Sequence, residues 1–146
     1  MKQRMAQVQH FSITTDAWTD TLNCQSYLCV TLHYIFEGNL RNLTISLEKL
    51  NDRLTGECLA EEIKNALNAW DIPLHKIVAA VTDNGSNIVK AVQIVVDTGK
   101  HLPCFAHTLD LIPQKVCDSE VTRPLIQAVK SITRFFKQSN IVSDEL

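Results

Sequence analysis

The sequence predicts an α/β fold in which a mixed sheet carries helices on its faces. Apolar residues alternate with a period of two before residue 50 and take helical spacing from residue 55 onwards. Three strand-like segments come first, and helix-like and strand-like segments then alternate. The predicted order is a three-strand antiparallel start followed by αβαβα. A hairpin at the start and crossover connections later imply that the sheet contains both antiparallel and parallel strands.

Three strands are expected before the first helix. The first begins at Phe11, alternates apolar and polar residues, and ends at Asp16. Residues 27–36 keep the period of two, and a turn at 37–39 leads to a third alternating segment at 43–48. The second and third strands are predicted to form a hairpin, because a short turn containing Gly joins them.

The first helix follows a cap and precedes a proline. Thr55 is expected to cap its N-terminus, and Pro73 lies just past its end. The continuous apolar run Ile77–Val81 then indicates a strand that is covered on both faces. The apolar stripe of the helix consists of Leu59, Ile63, Ala66, Leu67 and Trp70.

Helical spacing returns after a cluster of turn residues. A helix is expected over residues 88–96, with Gly99 as its stop, and a last short strand over 102–105. The helix that follows contains Pro113, which should kink or shorten it. A final helix is predicted to open near Pro124 and to bury an apolar stripe formed by Leu125, Val129, Ile132 and Phe136.

Length and composition are those of a single soluble globular domain. The 146 residues are 45% apolar and 21% charged, and the longest apolar runs are about five residues, far below the ~20 that span a bilayer. No apolar segment follows the charged N-terminus, so neither secretion nor membrane insertion is expected. The 14 basic and 16 acidic residues nearly cancel, which excludes nucleic-acid binding by bulk charge but not by a local patch. The five cysteines contain no Cys-x-x-Cys pair and are expected to be reduced thiols.

Two carboxylates stand at positions where a ligand site is expected. Asp16 follows the first strand and Asp83 follows the buried run, and in open α/β sheets ligands gather where strands end. Two carboxylates that meet there could hold Mg²⁺ or Mn²⁺. Two such ions, about 3.5–4 Å apart, can stabilise the attacking and leaving oxygens of phosphoryl transfer. From spacing alone, Asp16 and Asp83 could instead cap turns or helices.

Three motifs then occur in the order and at the spacing of one family. They are Ile13–Thr19 (ITTDAWT), Val81–Asn87 (VTDNGSN) and Cys104–Leu111 (CFAHTLDL). Together they resemble the hAT family of DNA transposases and the zinc finger BED domain proteins derived from them. The resemblance extends over nearly the whole chain, and further family landmarks lie at residues 27–34, 54–56 and 136–139.

The resemblance implies an RNase H-like fold with a catalytic core of three acidic residues. Asp16 matches the first acid and Asp83 the second, while the third, a glutamate, lies in the family beyond a large helical insertion. Glu120 and Glu145 come too early in the chain to be that residue. The resemblance therefore implies one truncated core domain, residues 1–146, that is incomplete at its C-terminus. It would lack the BED finger, the helical insertion and the C-terminal dimerisation region.

The same resemblance implies an ancestral activity of DNA cleavage and strand transfer, with Mg²⁺ or Mn²⁺ bound weakly at Asp16 and Asp83. DNA is the expected partner of the full-length protein in the nucleus, dimerisation is expected through regions outside this chain, and no membrane or small-molecule cofactor is expected. Without a third acid, the chain itself is expected to be an inactive, domesticated or fragmentary DNA- or protein-binding relative. The alternative is a small metal-dependent phosphohydrolase that uses the same two aspartates.

Cys104 and His107 match a family motif near the active site. One Cys and one His make only half of a structural zinc site, and no second pair follows at suitable spacing. His107 is therefore interpreted as a polar group at the start of a helix that orients the site or contacts DNA. A hydrogen-bonded, half-buried histidine is the alternative.

Other side chains are candidates for DNA contacts. Trp18, two residues after Asp16, could stack on a base or pack in the core. Asn84, Ser86 and Asn87 could cap the following helix, whose N-terminal amides favour a phosphate. The last helix has basic residues at helical spacing, which suit either DNA phosphates or a solvated face: Arg123, Lys130, Arg134 and Lys137.

Overall fold

A five-stranded sheet organises the chain, of which a computed structural model describes residues 2–50 and 54–138. The chain divides into two compact units, Met1–His107 and Thr108–Leu146, and the sheet lies in the first. No helix of the described residues is long and apolar enough to cross a membrane. The strands are β1 (Phe11–Asp20), β2 (Gln25–Phe36), β3 (Asn39–Leu50), β4 (Ile77–Thr82) and β5 (His101–Pro103).

The sheet is mixed, and its strand order is β3-β2-β1-β4-β5. β1 pairs with β2 and β2 with β3 in antiparallel orientation, whereas β4 is parallel to β1 and β5 is parallel to β4. The predicted antiparallel start, with the hairpin of β2 and β3, is therefore confirmed. The α-helices of the described residues are α1 (Lys2–Gln7), α2 (Gly56–Ala69), α3 (Ser86–Val96), α4 (Phe105–Cys117) and α5 (Arg123–Gln138).

The hydrophobic core lies between the sheet and the helices α2 and α3. Ile13 of β1, Ile63 of α2 and Val92 of α3 are fully buried in one apolar cluster. Thr55 caps α2 as predicted, because its Oγ1 accepts a hydrogen bond from the backbone N–H of Cys58 at 3.2 Å. The helical stripe and the strand alternation in the sequence thus face each other across this core.

Two predictions about the strands that carry the acids are wrong. The first strand does not end at Asp16, because β1 stays paired with β2 as far as Asp20 and its partner Gln25. Asp16 therefore lies inside a strand. The second prediction, that the run Ile77–Val81 is covered on both faces, fails because Ile77 and Ala80 are buried whereas the other residues of the run are not. Val78 is 50% exposed.

The end of α3 also differs from the prediction. The helix stops at Val96, and Asp97 adopts a positive φ of 85°, so the chain leaves the helix two residues before Gly99. Gly99 lies instead within a short 3₁₀ turn, Thr98–Lys100, that leads into β5. The polar Asp97 replaces glycine as the stop, and its side chain accepts a hydrogen bond from the N–H of Thr98 at 2.7 Å.

The remaining helices depart from expectation in three ways. α1 was not predicted, because it spans only six residues and Met5 is its buried residue. Pro113 does not shorten α4, which continues to Cys117. α5 does not bury its predicted stripe: periodicity sets which residues share a face, but burial requires a covering surface. The exposed fractions are 67% for Leu125, 51% for Val129, 59% for Ile132 and 44% for Phe136.

Candidate functional site

Asp16 lies on β1, and Asp83 directly follows the end of β4, the parallel strand next to β1. Thr14 of β1 pairs with Val81 of β4, and each acid comes two residues after its strand's member of that pair. Side chains two residues apart in a strand share a face. Thr15 and Thr82, which precede the acids, are buried on the opposite face at 4% and 2% exposure. Asp16 therefore lies on the face of the sheet opposite α2 and α3, and Asp83 lines the same cavity as Asp16 just beyond the end of β4.

A cavity of about 350 Å³ opens above the two acids. Its wall includes Asp16, Asp83, Cys104 and His107, together with Thr31 from β2. His107 belongs to the first turn of α4, which begins at Phe105. The structure thus brings together both predicted acids and both residues of the Cys-x-x-His motif, and His107 lies at the start of a helix as predicted.

Short hydrogen bonds hold Asp83 and the end of β4. The Oδ1 atom of Asp83 accepts a hydrogen bond from the backbone N–H of Gly85 at 2.9 Å. A Cβ atom at Gly85 would come within 3.0 Å of that oxygen, so glycine leaves room for this close turn. On the other side, the N–H of Cys104 donates to the carbonyl of Thr82 at 2.7 Å, which ties the end of β4 to the residue that precedes α4.

The second carboxylate of β1, that of Asp20, stabilises a turn. Asp20 accepts hydrogen bonds from the side-chain amide of Asn23 at 2.6 Å and from the backbone N–H of Leu22 at 3.0 Å. These bonds hold the pKa of Asp20 below its usual range. Asp20 is thus committed to the β1–β2 turn, whereas Asp16 is exposed in the cavity wall.

The donor atoms of the site suit a hard divalent cation. Carboxylate oxygens are the ligands that Mg²⁺ and Mn²⁺ prefer, and Mg²⁺ commonly binds through one or two carboxylates and keeps several waters. In the described ranges, no three or more His, Cys, Asp and Glu side chains form a cluster that could hold a metal. None of the five cysteines, which all lie in those ranges, forms a disulfide. The residues present thus fit a weakly held Mg²⁺ or Mn²⁺ at Asp16 and Asp83.

The candidate DNA contacts lie at several places. Trp18 is 41% exposed and stacks on Tyr27 with ring centroids 5.5 Å apart, so it is not a core residue. Asn84 and Ser86 are exposed beside Asp83. The predicted capping of α3 by polar side chains is wrong, because its cap is Gly85 without a side-chain hydrogen bond. Asn87 instead donates to the carbonyl of Leu54 at 2.5 Å.

The basic residues of α5 belong to the second compact unit. Arg123, Lys130 and Arg134 are exposed, and the side chain of Lys137 lies outside the described part of the chain. Glu145 also lies outside the described residues, while Glu120 belongs to the turn between α4 and α5.

Sequence reasoning missed the histidines that support the two acid-bearing strands. Nε2 of His33 on β2 lies 3.0 Å from Oγ1 of Thr14, and Nε2 of His101 on β5 lies 2.9 Å from Oγ1 of Thr82. The alternation of β2 placed His33 on the face opposite Leu32 and Tyr34, but nothing in the sequence gave the register that brings it to Thr14. His101 carried no signal, because β5 begins one residue before the predicted strand.

The comparisons with known proteins agree with this geometry. A family model described as the ZBED1 RNase-like domain matches residues 14–104, more than half of the chain. The chain belongs to the family of hAT transposases and the BED-type proteins derived from them. Its mixed sheet, with three antiparallel strands followed by two parallel ones, is accordingly an RNase H-like fold.

Three curated relatives show how the similarity is distributed. The chain is 30% identical over 105 residues to the transposable element Hobo transposase of Drosophila melanogaster, covering 71% of this chain and 16% of that protein. It is 29% identical to a putative AC transposase of Zea mays, over 93% of this chain and 18% of the relative. It is 26% identical to zinc finger BED domain-containing protein 6 of Homo sapiens, over 91% and 15%. The chain thus spans less than a fifth of the length of these relatives.

Proposed function

We propose that this chain is the first part of a transposase-type core in which Asp16 and Asp83 together hold a divalent cation. The observation that supports the proposal is that Asp16 on β1 and Asp83 directly after the adjacent parallel strand β4 line the wall of one cavity. An ion bound there supplies positive charge that stabilises the oxygens of a phosphoryl group. The chain's own part is to hold the two carboxylates in the wall of one cavity.

The cation site is tested by titrating Mn²⁺ into the chain by calorimetry or by paramagnetic broadening of NMR signals. Binding is expected to be weak, and Asp83→Asn should lower the affinity further, on the order of 10-fold, because a ligand is removed. Asp20→Asn is the control, since it removes a carboxylate of β1 that bonds within the β1–β2 turn. Mn²⁺ binding that is unchanged in Asp83→Asn would contradict the proposal.

DNA is the proposed substrate of the full-length protein, which we place in the nucleus. The names of the relatives, two of them transposases and one a BED-type protein, support this assignment. Trp18, Asn84 and Ser86 are exposed near the acids and are proposed to contact the nucleic acid. α5 contains no acidic residue, so its basic residues are proposed to contact phosphates: Arg123, Lys130, Arg134 and Lys137. Dimerisation is proposed to use regions outside this chain.

The chain by itself is proposed not to cleave DNA, as expected of a fragmentary or domesticated relative. Two-metal phosphoryl transfer needs ligands that fix both cations around the phosphorus, and Asp16 and Asp83 leave one cation without an anchoring ligand. A displacement of about 1 Å already costs on the order of 100-fold in rate.

This proposal predicts that the purified chain leaves supercoiled plasmid intact in Mn²⁺. Nicking that disappears in Asp16→Ala would show that the active site is completed within these residues. Hydrolysis of small phosphate esters that depends on Asp16, without any plasmid nicking, would favour the metal-dependent phosphohydrolase instead.

A further inference from the structure

The residue before Asp83 connects that acid to the neighbouring strand. Thr82 is the last residue of β4 and is 2% exposed. Its hydroxyl donates to the backbone carbonyl of Asp83 at 2.6 Å, and the same oxygen lies 2.9 Å from Nε2 of His101 at the start of β5. A continuous chain of hydrogen bonds therefore runs from His101 through Thr82 to the backbone of Asp83.

The direction of these bonds follows from the single proton of a hydroxyl group. Because the Thr82 hydroxyl gives its proton to the Asp83 carbonyl, its oxygen must accept from His101. His101 therefore carries a hydrogen on Nε2 and acts as the donor. A side chain without a donor at this position leaves the Thr82 oxygen buried with an unmet acceptor, and the hydroxyl is then held from one side only.

Asp83 is held at two points once this chain of bonds is formed. Its backbone carbonyl is fixed by Thr82, and its carboxylate oxygen Oδ1 is fixed by the N–H of Gly85. The carboxylate can point steadily into the cavity only while the backbone that carries it keeps one orientation. Groups that orient a metal ligand in this way commonly change metal affinity by ~10–100-fold when they are removed.

We propose that His101 is a positioning residue for Asp83, acting through Thr82 on the orientation of the carboxylate. The proposal rests on the proposed function in one respect, namely that Asp83 is a cation ligand. Its structural part, the orientation of the Asp83 turn by His101, is independent of any cation.

The test compares His101→Leu, which removes the donor, with His101→Gln, whose amide nitrogen can replace Nε2. His75→Leu is the matched control, because His75 is exposed in the 3₁₀ turn that precedes the opposite end of β4. Two quantities are measured on the folded chain. The first is the NMR shift and hydrogen-exchange rate of the Gly85 amide without metal, and the second is the affinity for Mn²⁺.

In His101→Leu we expect faster exchange of the Gly85 amide and Mn²⁺ affinity lowered on the order of 10-fold, the lower end for orienting groups. His101→Gln should restore most of both, and His75→Leu should change neither. If the Gly85 amide of folded His101→Leu has the NMR shift and exchange rate of the wild type, the positioning role is overturned. If His101→Leu does not fold, Thr82→Ser gives the second measurement. Because serine retains the hydroxyl, the Gly85 amide should keep its wild-type NMR shift and exchange rate, and a change in either would count against the proposal.

The two proposals fail in distinguishable ways. If the wild-type chain binds Mn²⁺ no better than Asp83→Asn, the cation site is wrong, and the Gly85 amide alone decides the role of His101. If Mn²⁺ binding depends on Asp83 but is the same in His101→Leu and in wild type, the cation site stands and the positioning role is overturned.

Discussion

Two buried threonines of similar position differ in how their hydroxyl groups are satisfied. Thr82 donates to the carbonyl of Asp83 and also contacts His101, whereas Oγ1 of Thr15 is buried without a hydrogen-bond partner among the described residues. A buried hydroxyl without a partner destabilises the fold by about 1–3 kcal/mol, because its hydration is lost and not replaced. Among the described residues, the hydroxyl of Thr15, next to Asp16, thus lacks a hydrogen bond, whereas the hydroxyl of Thr82, next to Asp83, has two.

Replacement of Thr15 by valine is expected to raise the free energy of unfolding by about 1 kcal/mol, since valine keeps the shape and removes the unmet hydroxyl. Thr82→Val is the control and should lower the free energy of unfolding by about 1–3 kcal/mol, because the Asp83 carbonyl and His101 Nε2 lose their hydrogen bonds to the hydroxyl. Urea denaturation of both variants measures the difference. A loss of stability in Thr15→Val equal to that in Thr82→Val would contradict the distinction.

At the scale of elements, a glycine allows α2 and α3 to approach closely. A Cβ atom at Gly56 would lie 2.8 Å from Cδ and 2.9 Å from Cβ of Lys90. The Lys90 ammonium in turn binds the Glu57 carboxylate at 2.5 Å, and this bond holds the pKa of Glu57 below its usual range. The Lys90 side chain therefore lies beside Gly56 with its Cβ and Cδ atoms and binds Glu57 with its ammonium group.

Gly56→Ala is expected to destabilise the fold by about 1–3 kcal/mol, because the new methyl group overlaps Lys90 and the two helices must move apart. The helix propensity of alanine offsets this by at most about 1 kcal/mol. Gly99→Ala is the matched control, since a Cβ atom there meets nothing within 4 Å. Equal stability of the two variants in urea denaturation would show that the α2–α3 contact adjusts freely.

The sequence predicted best those elements whose apolar pattern matches the face that is buried in the fold. β2 and β3 pair from Ser26 to Phe36 with one register shift between Val30 and Thr31, and the stripe of α2 faces the core. The end of β1 was mispredicted because its polar residues lack an apolar pattern, yet pairing of Asp16 with Cys29 keeps them in the sheet. Tertiary hydrogen bonding thus extends a strand beyond the point where its own residues indicate one.

The candidate site was predictable only in part. Asp16 and Asp83 were found through motifs, since spacing alone does not tell which strands become neighbours. The contribution of Thr82 and His101 depends on the register between β4 and β5, in which Ala80 pairs with His101. A sequence pattern does not contain such a register, so these residues could be identified from the structure alone.

At the scale of the whole molecule, burial is concentrated in the first compact unit. Ile63 of α2 is fully buried, whereas Ile132 of α5 in the second unit is 59% exposed. Periodicity made the two isoleucines look equivalent in the sequence, because each belongs to a helical apolar stripe. Their contributions to stability should therefore differ widely.

Ile63→Ala is expected to lower the free energy of unfolding by about 2–5 kcal/mol, through lost burial and the cavity that remains. Ile132→Ala should stay within about 0.5 kcal/mol of the wild-type value, because an exposed side chain has little burial to lose. Circular dichroism in increasing urea measures both variants. A loss of 2 kcal/mol or more in Ile132→Ala would mean that α5 is covered in solution.

The pairing of β1 with two different partners has a consequence for the order in which the molecule assembles. β1, β2 and β3 follow one another along the chain, so they can pair through short loops. The pairing of β1 with β4 must close a loop that contains β2, β3 and α2, and contacts of long sequence separation form more slowly. Asp16 and Asp83 therefore meet only when this non-local step is complete. Cation binding would then indicate that β1 and β4 have paired. A folding intermediate in which only β1, β2 and β3 are paired would not bind the cation.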